Sequence, residues 1–120
     1  MKIKTAELTG YALDYAVELT RGHVENIRIH PTYKTKGVYR GDQHDTLLSS
    51  CSPSTYWGHG GPLIEQEMID VCAYRGAWRA ARYVATAPTY GHGPKPLVAA
   101  MRCLVASKLG DEVDIPDELV

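Results

Sequence analysis

Apolar residues recur at helical spacing just after the N-terminus. The residues that share one face of this segment are Leu13, Ala16, Val17 and Thr20. Thr9 stands where an N-cap is expected, and Gly22 follows the last turn. The pattern therefore predicts an amphipathic helix that begins at Leu8 or Thr9 and ends near Arg21.

A second helix is predicted over residues 96–109, where Pro96 opens the first turn and Gly110 follows the last. This segment is apolar on nearly every side, which is typical of a buried helix. We expect it to be the spine of the domain or the seam of a homo-oligomer. Arg102 lies within it among apolar neighbours, so its guanidinium needs a partner. That partner is a phosphate or carboxylate of a ligand, an acid of the C-terminal tail, or the solvent, which a long side chain can reach.

The strands are predicted from alternating polar and apolar positions, at residues 2–6, 24–30 and 111–115. Residues 77–85 fit a helix or a strand, and we favour a strand because the first strands would otherwise lack a partner. A short helix is expected from Pro62 to a point before Val71.

Residues 31–50 are polar and turn-rich, which favours a flap or an excursion of a hairpin. The elements together predict an α+β fold in a single domain. We expect one small antiparallel sheet packed by two main helices, with long Gly/Pro-rich loops gathered on one side.

Two stretches rich in glycine and proline are predicted to be loops, at residues 52–62 and 86–95. The side chains of the first that could contact a ligand are Ser54, Thr55, Tyr56, Trp57 and His59. Loop amides and hydroxyls can enclose an anionic or polar ligand while an aromatic ring stacks on it. The alternative is that Trp57 only plugs the core. The second loop adds Tyr90 beside the N-terminus of the 96–109 helix, a natural position for an anion.

Composition sets limits on the function. The chain has 120 residues, 44% of them hydrophobic and 22% charged, as in an ordinary soluble domain. Its formal net charge of −1 makes nucleic acid an improbable partner, and no apolar run is long enough to span a membrane. The three cysteines are odd in number and widely spaced, so we expect reduced thiols in a cytoplasm. Because they and the five histidines share no metal-ligand spacing, we expect no metal.

Charge is nevertheless uneven along the chain. Residues 21–40 contain five bases and one acid, whereas residues 111–120 contain five acids and no base. This asymmetry fits head-to-tail self-association or simple solvation.

Signatures of catalysis are missing from the sequence. It contains no phosphate-binding loop of the nucleotide hydrolases, no dinucleotide fingerprint and no strained nucleophile elbow. We therefore expect binding without turnover, with no catalytic residue and no cofactor, and regard an enzyme as less favoured.

Three blocks of sequence resemble the NinX-like family of small phage and prophage proteins. They are Lys2–Val17 (KIKTAELTGYALDYAV), Ser52–Glu65 (SPSTYWGHGGPLIE) and Gly93–Val113 (GPKPLVAAMRCLVASKLGDEV). The resemblance implies expression in the cytoplasm of an infected bacterium, and the family has no assigned function. Family members often carry an acid directly before the Trp of the second block, where this chain has Tyr56. The resemblance places Asp14 and Tyr15 on the N-terminal helix as further polar and aromatic contributors.

The function we expect from phage origin and site chemistry is sequestration of a nucleotide second messenger made by a bacterial immune system. Such a ligand offers phosphates, riboses and bases to an arginine, hydroxyls and a ring. The predicted ligand-binding residues are Asp14, Tyr15, Ser54, Thr55, Tyr56, Trp57, His59, Tyr90 and Arg102. The alternatives are an adaptor that binds a host or phage protein and an enzyme that cleaves a nucleotide signal.

Overall fold

The computed structural model describes residues 1–22, 27–30, 33–41, 48–84 and 87–120. Its helices are α1 (Gly10–Thr20), α2 (Trp57–Gln66) and α3 (Pro96–Leu109), with 3-10 turns at Thr5–Glu7 and Asp117–Leu119. Its strands are β1 (Lys2–Lys4), β2 (Ile27–Ile29), β3 (Lys36–Gly41), β4 (Leu48–Ser50), β5 (Asp70–Tyr74), β6 (Ala77–Val84), β7 (Ala87–Gly93) and β8 (Glu112–Asp114). The predicted α+β fold is confirmed.

The strands form three small antiparallel sheets instead of the one expected. Their orders are β1-β8, β2-β3-β4 and β5-β6-β7. The strand predicted at residues 77–85 is confirmed for 77–84, but its partners are β5 and β7 and not the first strands. Strand β1 instead pairs with β8, which places Ile3 opposite Val113. The strand predicted at 24–30 is observed as β2, and its first residues, 24–26, lie outside the described part of the chain.

Helix α3 is the buried spine of the structure. Its bounds agree with the prediction, and Gly110 ends it in the left-handed region at φ +87°. The residues of α3 that are buried are Leu97, Val98, Ala99, Ala100, Met101, Cys103, Leu104 and Val105. Helix α1 and strands β6 and β7 pack against it. Because the chain itself covers this helix, its apolar surface does not require a second copy, and the homo-oligomer stays a prediction.

The second predicted loop was wrong for residues 87–93, which form strand β7. Residue 86 lies outside the described residues. Gly91 explains the strand: a Cβ added there would lie 2.4 Å from both the Ala99 carbonyl oxygen and the Cys103 nitrogen. Strand β7 therefore runs directly against the backbone of α3, and only glycine permits that approach. The glycines that suggested a loop serve packing.

The first predicted loop was also wrong from residue 57 onward, because α2 begins at Trp57 and not at Pro62. Gly60 lies against neighbouring backbone, since a Cβ there would stand 2.4 Å from the Pro53 carbonyl oxygen and 2.6 Å from Leu97 Cδ2. The glycine-rich sequence thus serves a close contact between helix and chain. The helix ends at Gln66, within the predicted limit.

Helix α1 confirms the pattern read at the N-terminus. Leu8 and Leu13 are fully buried, and Gly22 follows the helix at φ +81°. Thr9 occupies the N-cap position, although its side chain makes no capping hydrogen bond. The predicted hairpin excursion over residues 31–50 contains β3 and β4, and residues 42–47 lie outside the described ranges.

Some of the unevenly distributed charges form ion pairs within the chain. Arg28, from the basic segment, forms an ion pair with Glu118 of the acidic C-terminal segment. The N-terminal ammonium lies 3.0 Å from Asp114 and 3.4 Å from Asp117. These exposed pairs contribute little stability each, but they connect the two ends that the sequence separates.

Candidate functional site

Three of the nine predicted ligand-binding residues line one of two cavities: Tyr90 and Arg102 the first, and His59 the second. The first, which we name the β7 cleft, has a volume of about 540 Å³ and lies beside edge strand β7. Its charged and aromatic lining residues are Lys4, Tyr90, His92, Arg102, Asp111 and Glu112. The second, the α1–α2 pocket, has a volume of about 250 Å³. Its polar lining includes Glu18, Arg21, Arg40, Cys51, His59 and Gln66.

Arg102 is held in place on the wall of the β7 cleft. Its Nε donates a hydrogen bond to the Leu8 carbonyl oxygen at 2.8 Å, and its Nη1 donates to the His92 carbonyl oxygen at 2.9 Å. Partial burial lowers the pKa of its guanidinium. Two backbone carbonyls therefore supply partners that the sequence does not reveal, and a contact between Arg102 and a ligand stays a prediction. Its Nη2 makes no hydrogen bond to any described residue, so one edge of the fork is left for a ligand.

Tyr90 also lines the β7 cleft, at the edge of the sheet. Its side chain is 47% exposed and stands on strand β7. The Arg79 guanidinium lies 5.4 Å from its ring centroid, which steadies one side of the ring by a cation–π contact. Tyr90 and Arg102 are thus the two predicted residues that the structure brings into one cavity.

The charges around the β7 cleft are mixed. Lys4 and Arg102 are basic, whereas Asp111 and Glu112 are acidic. Basic groups suit phosphate oxygens, and carboxylates accept hydrogen bonds from hydroxyl or amino groups. The cleft is therefore suited to a ligand that carries both kinds of group.

Ser54 and Asp14 form a buried structural pair instead of a ligand contact. Both are 2% exposed, and the Ser54 backbone N–H donates to Asp14 Oδ1 at 2.9 Å. Burial raises the pKa of Asp14 to about 6, while hydrogen bonding from Ser54 opposes the rise. The Ser54 hydroxyl oxygen is buried and has no hydrogen-bond partner among the described residues. The structure thus brings these two predicted residues together, but away from solvent.

The remaining predicted residues do not enclose a common space. Trp57 is 56% exposed, so the interpretation of its ring as a core plug was wrong. Trp57 and Tyr56 line neither cavity, and Thr55 is exposed on the segment before α2. Tyr15 packs, partly buried, against the core. The Trp57 ring, which was expected to stack on the same ligand that Arg102 binds, therefore does not line the cavity of Arg102.

His59 belongs to the α1–α2 pocket. Its Nδ1 accepts a hydrogen bond from the Ser52 backbone N–H at 3.0 Å, and its ring meets the Tyr56 ring edge-on at 4.7 Å. Glu18 is 1% exposed in this pocket and lies 3.2 Å from Arg21. The sequence shows Asp14 and Glu18 only as polar residues one turn apart on α1, and it gives no sign that both are buried. Their burial depends on the chain that returns as the segment before α2.

Nucleophilic chemistry is not favoured by the described side chains. Burial raises the pKa of Cys51, in the α1–α2 pocket, to about 11, so its thiol is protonated near neutral pH. In the β7 cleft, the Thr5 hydroxyl donates to the Gly110 carbonyl oxygen at 2.6 Å. Among the described residues, no three of His, Cys, Asp and Glu are grouped to hold a metal ion. No helix within the described ranges has the length and apolarity to cross a membrane.

Comparison with known proteins connects the chain to a phage family. The family model described as Bacteriophage P22, NinX matches residues 4–108. No curated protein matches the sequence significantly. The matched region includes the contacts that join the three sequence blocks: Asp14 with Ser54, Arg102 with Leu8, and Gly60 with Leu97.

Proposed function

The chain belongs to the phage P22 NinX family, and we propose that it binds a nucleotide-type ligand in the β7 cleft without turning it over. In a phage-encoded protein, such binding serves to sequester a nucleotide second messenger of a bacterial immune system. One observation carries this proposal. Arg102, fixed by two backbone carbonyls, lines a cleft of about 540 Å³ together with Tyr90, whose side chain is half-exposed at the border of the cleft.

The cleft has the size and the chemistry for this ligand class. Small-molecule sites measure roughly 300–1,000 Å³, so the cavity can take a nucleotide. The free edge of the Arg102 guanidinium and the Lys4 ammonium suit phosphate oxygens. Tyr90 offers a face on which a base can stack, and Asp111 or Glu112 can accept a hydrogen bond from a ribose hydroxyl.

Binding without turnover is supported by the scarcity of nucleophiles in the cleft. Among its described lining residues there is no cysteine or serine, and the Thr5 hydroxyl already donates to a backbone carbonyl. Arg102 is fixed before a ligand arrives, which lowers the ordering cost of binding. These features support retention of an intact ligand over its cleavage.

Calorimetric titration with a panel of mononucleotides and cyclic dinucleotides tests the proposal. We expect Tyr90→Ala to weaken binding by about 1–3 kcal/mol, the usual contribution of base–aromatic stacking. Arg102→Lys keeps the charge but loses the planar fork, so its affinity for phosphate should fall as well. Trp57→Ala is the matched control, because it removes an exposed ring outside the cleft.

Three outcomes would contradict this assignment. Affinity that falls in His59→Ala but not in Tyr90→Ala would move the ligand to the α1–α2 pocket. Recovery of a cleaved nucleotide after heat denaturation would identify an enzyme. Failure of every nucleotide to bind, with a host or phage protein bound instead, would identify an adaptor.

A further inference from the structure

The sheet β5-β6-β7 has one face turned away from α3, which we name the outer sheet face. Gly91 and Gly93 approach α3, so the alternate residues of β7 point to the opposite side. Paired residues on neighbouring strands point to the same side, so Cys72, Arg79 and His92, which form one row across the sheet, lie on this face. The aromatic and cationic side chains on this face are Tyr74, Arg79, Tyr83, Tyr90 and His92, with Arg75 at the β5–β6 turn.

Aromatic and guanidinium groups alternate over this face. The Arg79 guanidinium lies 4.5 Å from the Tyr74 ring centroid and 5.4 Å from that of Tyr90. From the central strand β6, it therefore contacts one ring on each edge strand, β5 and β7. Arg75 lies 5.3 Å from the Tyr74 ring, and the His92 ring lies 5.7 Å from it. These contacts orient the rings and the cations without burying them in the core.

Exposure leaves the tyrosines available to a ligand. Tyr83 is 62% exposed and Tyr90 is 47% exposed. Because Tyr83 pairs with Pro88 and Tyr90 pairs with Ala81, the two tyrosines are diagonal neighbours on adjacent strands. Successive planar groups of a ligand can therefore meet successive rings.

Charge on this face is locally positive although the chain carries a net charge of −1. Arg75 and Arg79 face a single acid among the described residues of the face, Asp70, which shares a register row with Ala81. A sheet face with exposed aromatic rings between arginines has the chemistry that binds unpaired bases and phosphates. A duplex offers no unpaired base to such rings.

We propose that the outer sheet face binds a single-stranded polynucleotide. Bases stack on Tyr83 and Tyr90, and phosphates lie along Arg75 and Arg79. The proposal goes beyond nucleotide binding in the β7 cleft. It also differs from the expectation, based on the net charge of −1, that nucleic acid is not a partner. Tyr90 borders both sites, so the test uses Tyr83 and Arg75, which do not line the cleft.

Fluorescence anisotropy with labelled oligonucleotides of about 12 residues, within the range bound by single-strand proteins, tests this. Oligo-dT, oligo-U and a duplex are titrated at 50 and 200 mM salt. We expect both single strands to bind and the duplex to bind at least tenfold more weakly. Tyr83→Ala should weaken single-strand binding at least fivefold. Arg75→Gln should weaken it and lower the salt slope by about 0.7.

The controls separate this site from the cleft. Trp57→Ala removes an equally exposed ring on α2 and should leave oligonucleotide affinity within twofold. Arg102→Lys should lower mononucleotide affinity while leaving oligonucleotide affinity unchanged.

Three results would overturn the proposal: no binding of single strands at 50 mM salt, equal affinity for the duplex, or unchanged affinity in both Tyr83→Ala and Arg75→Gln. Each variant's melting temperature is measured first, and an unchanged value is expected because both side chains are exposed. If Tyr83→Ala fails to fold, Tyr83→Ser takes its place in the same titration.

Discussion

The backbone N–H of Ser54 donates to Oδ1 of Asp14 at 2.9 Å, across 40 positions of sequence. This hydrogen bond joins α1 to the segment that leads into α2, and both residues are buried. A carboxylate in such a place loses hydration, and burial raises its pKa from 3.8 to about 6. The contact thus joins two sequence blocks, and the burial of its carboxylate makes stability depend on pH.

Replacing Asp14 with Asn should remove that pH dependence. The folded pKa is raised, so the folded state binds more protons than the unfolded state, and wild-type stability falls as pH rises from about 4 to 6. A difference of about two pKa units corresponds to about 3 kcal/mol. Part of this difference is already lost at pH 4, so we expect Asp14→Asn, relative to wild type, to gain about 2 kcal/mol in free energy of unfolding between pH 4 and pH 7.

Urea unfolding at both pH values measures this gain. Asp14→Ala is the matched control, since it removes the acceptor and leaves the Ser54 N–H buried without a partner. It should therefore lose about 1–3 kcal/mol relative to Asp14→Asn at either pH. A stability difference between wild type and Asp14→Asn that is the same at both pH values would contradict the account.

Two neighbouring glycines of α2 should respond to alanine in opposite ways. A Cβ at Gly60 would stand 2.4 Å from the Pro53 carbonyl oxygen, whereas a Cβ at Gly61 first meets Trp57 at 3.9 Å. Gly60→Ala should therefore cost about 1–3 kcal/mol through overpacking. Gly61→Ala should stabilise by about 0.4–1 kcal/mol through helix propensity. Thermal unfolding of both variants decides the matter, and equal effects would argue against α2 beginning at Trp57.

Glu67 should give a pH dependence of the opposite sign to that of Asp14. Its carboxylate lies 2.9 Å from Arg82 and 3.0 Å from Lys108, and hydrogen bonding from Lys108 contributes most to the lowering of its pKa. A lowered folded pKa gives stability that is present above the unfolded value near 4.5 and lost as pH falls through the folded pKa.

Glu67→Gln should destabilise the protein by about 1–3 kcal/mol at pH 7 and by less at pH 3. Lys108→Ala removes only one of the two partners of Glu67, the more exposed one. Its loss in free energy of unfolding at pH 7 should therefore be smaller than that of Glu67→Gln. Chemical unfolding at the two pH values measures these changes. A loss in Glu67→Gln that grows on acidification would refute the ion-pair assignment.

Trp57→Ala should leave both stability and ligand affinity nearly unchanged. The ring is 56% exposed and lines neither cavity, so truncation should shift the free energy of unfolding by no more than about 0.5 kcal/mol. The melting temperature and the nucleotide titration check this together. A tenfold loss of affinity in a folded Trp57→Ala protein would restore the site predicted at the segment before α2.

The spacing of apolar residues and the capping residues predicted helices α1 and α3. Pro96, Gly110 and the apolar positions between them define α3, because caps and periodicity are properties of neighbouring residues. Gly60 and Gly91 misled the prediction, since each glycine meets a distant backbone. Composition could not show whether such a glycine provides a turn or a close approach.

The candidate site was predicted in part for the same reason. Arg102 and Tyr90 were named and do share a cleft, but the partners of Arg102 are backbone carbonyls that leave no mark in the sequence. Trp57 was grouped with them because of its chemistry alone. The structure separates it, since helix α2 presents that ring to solvent.

Analysis of the small molecules that copurify with the protein tests the central claim most directly. Wild-type, Tyr90→Ala and Trp57→Ala proteins are purified from infected bacteria with an active nucleotide-signalling immune system, denatured by heat, and examined by mass spectrometry. We predict that wild type and Trp57→Ala release an intact nucleotide in an amount comparable with the protein, and that Tyr90→Ala releases little. Release of a cleaved product, or of no nucleotide from any of the three proteins, would contradict sequestration in the β7 cleft.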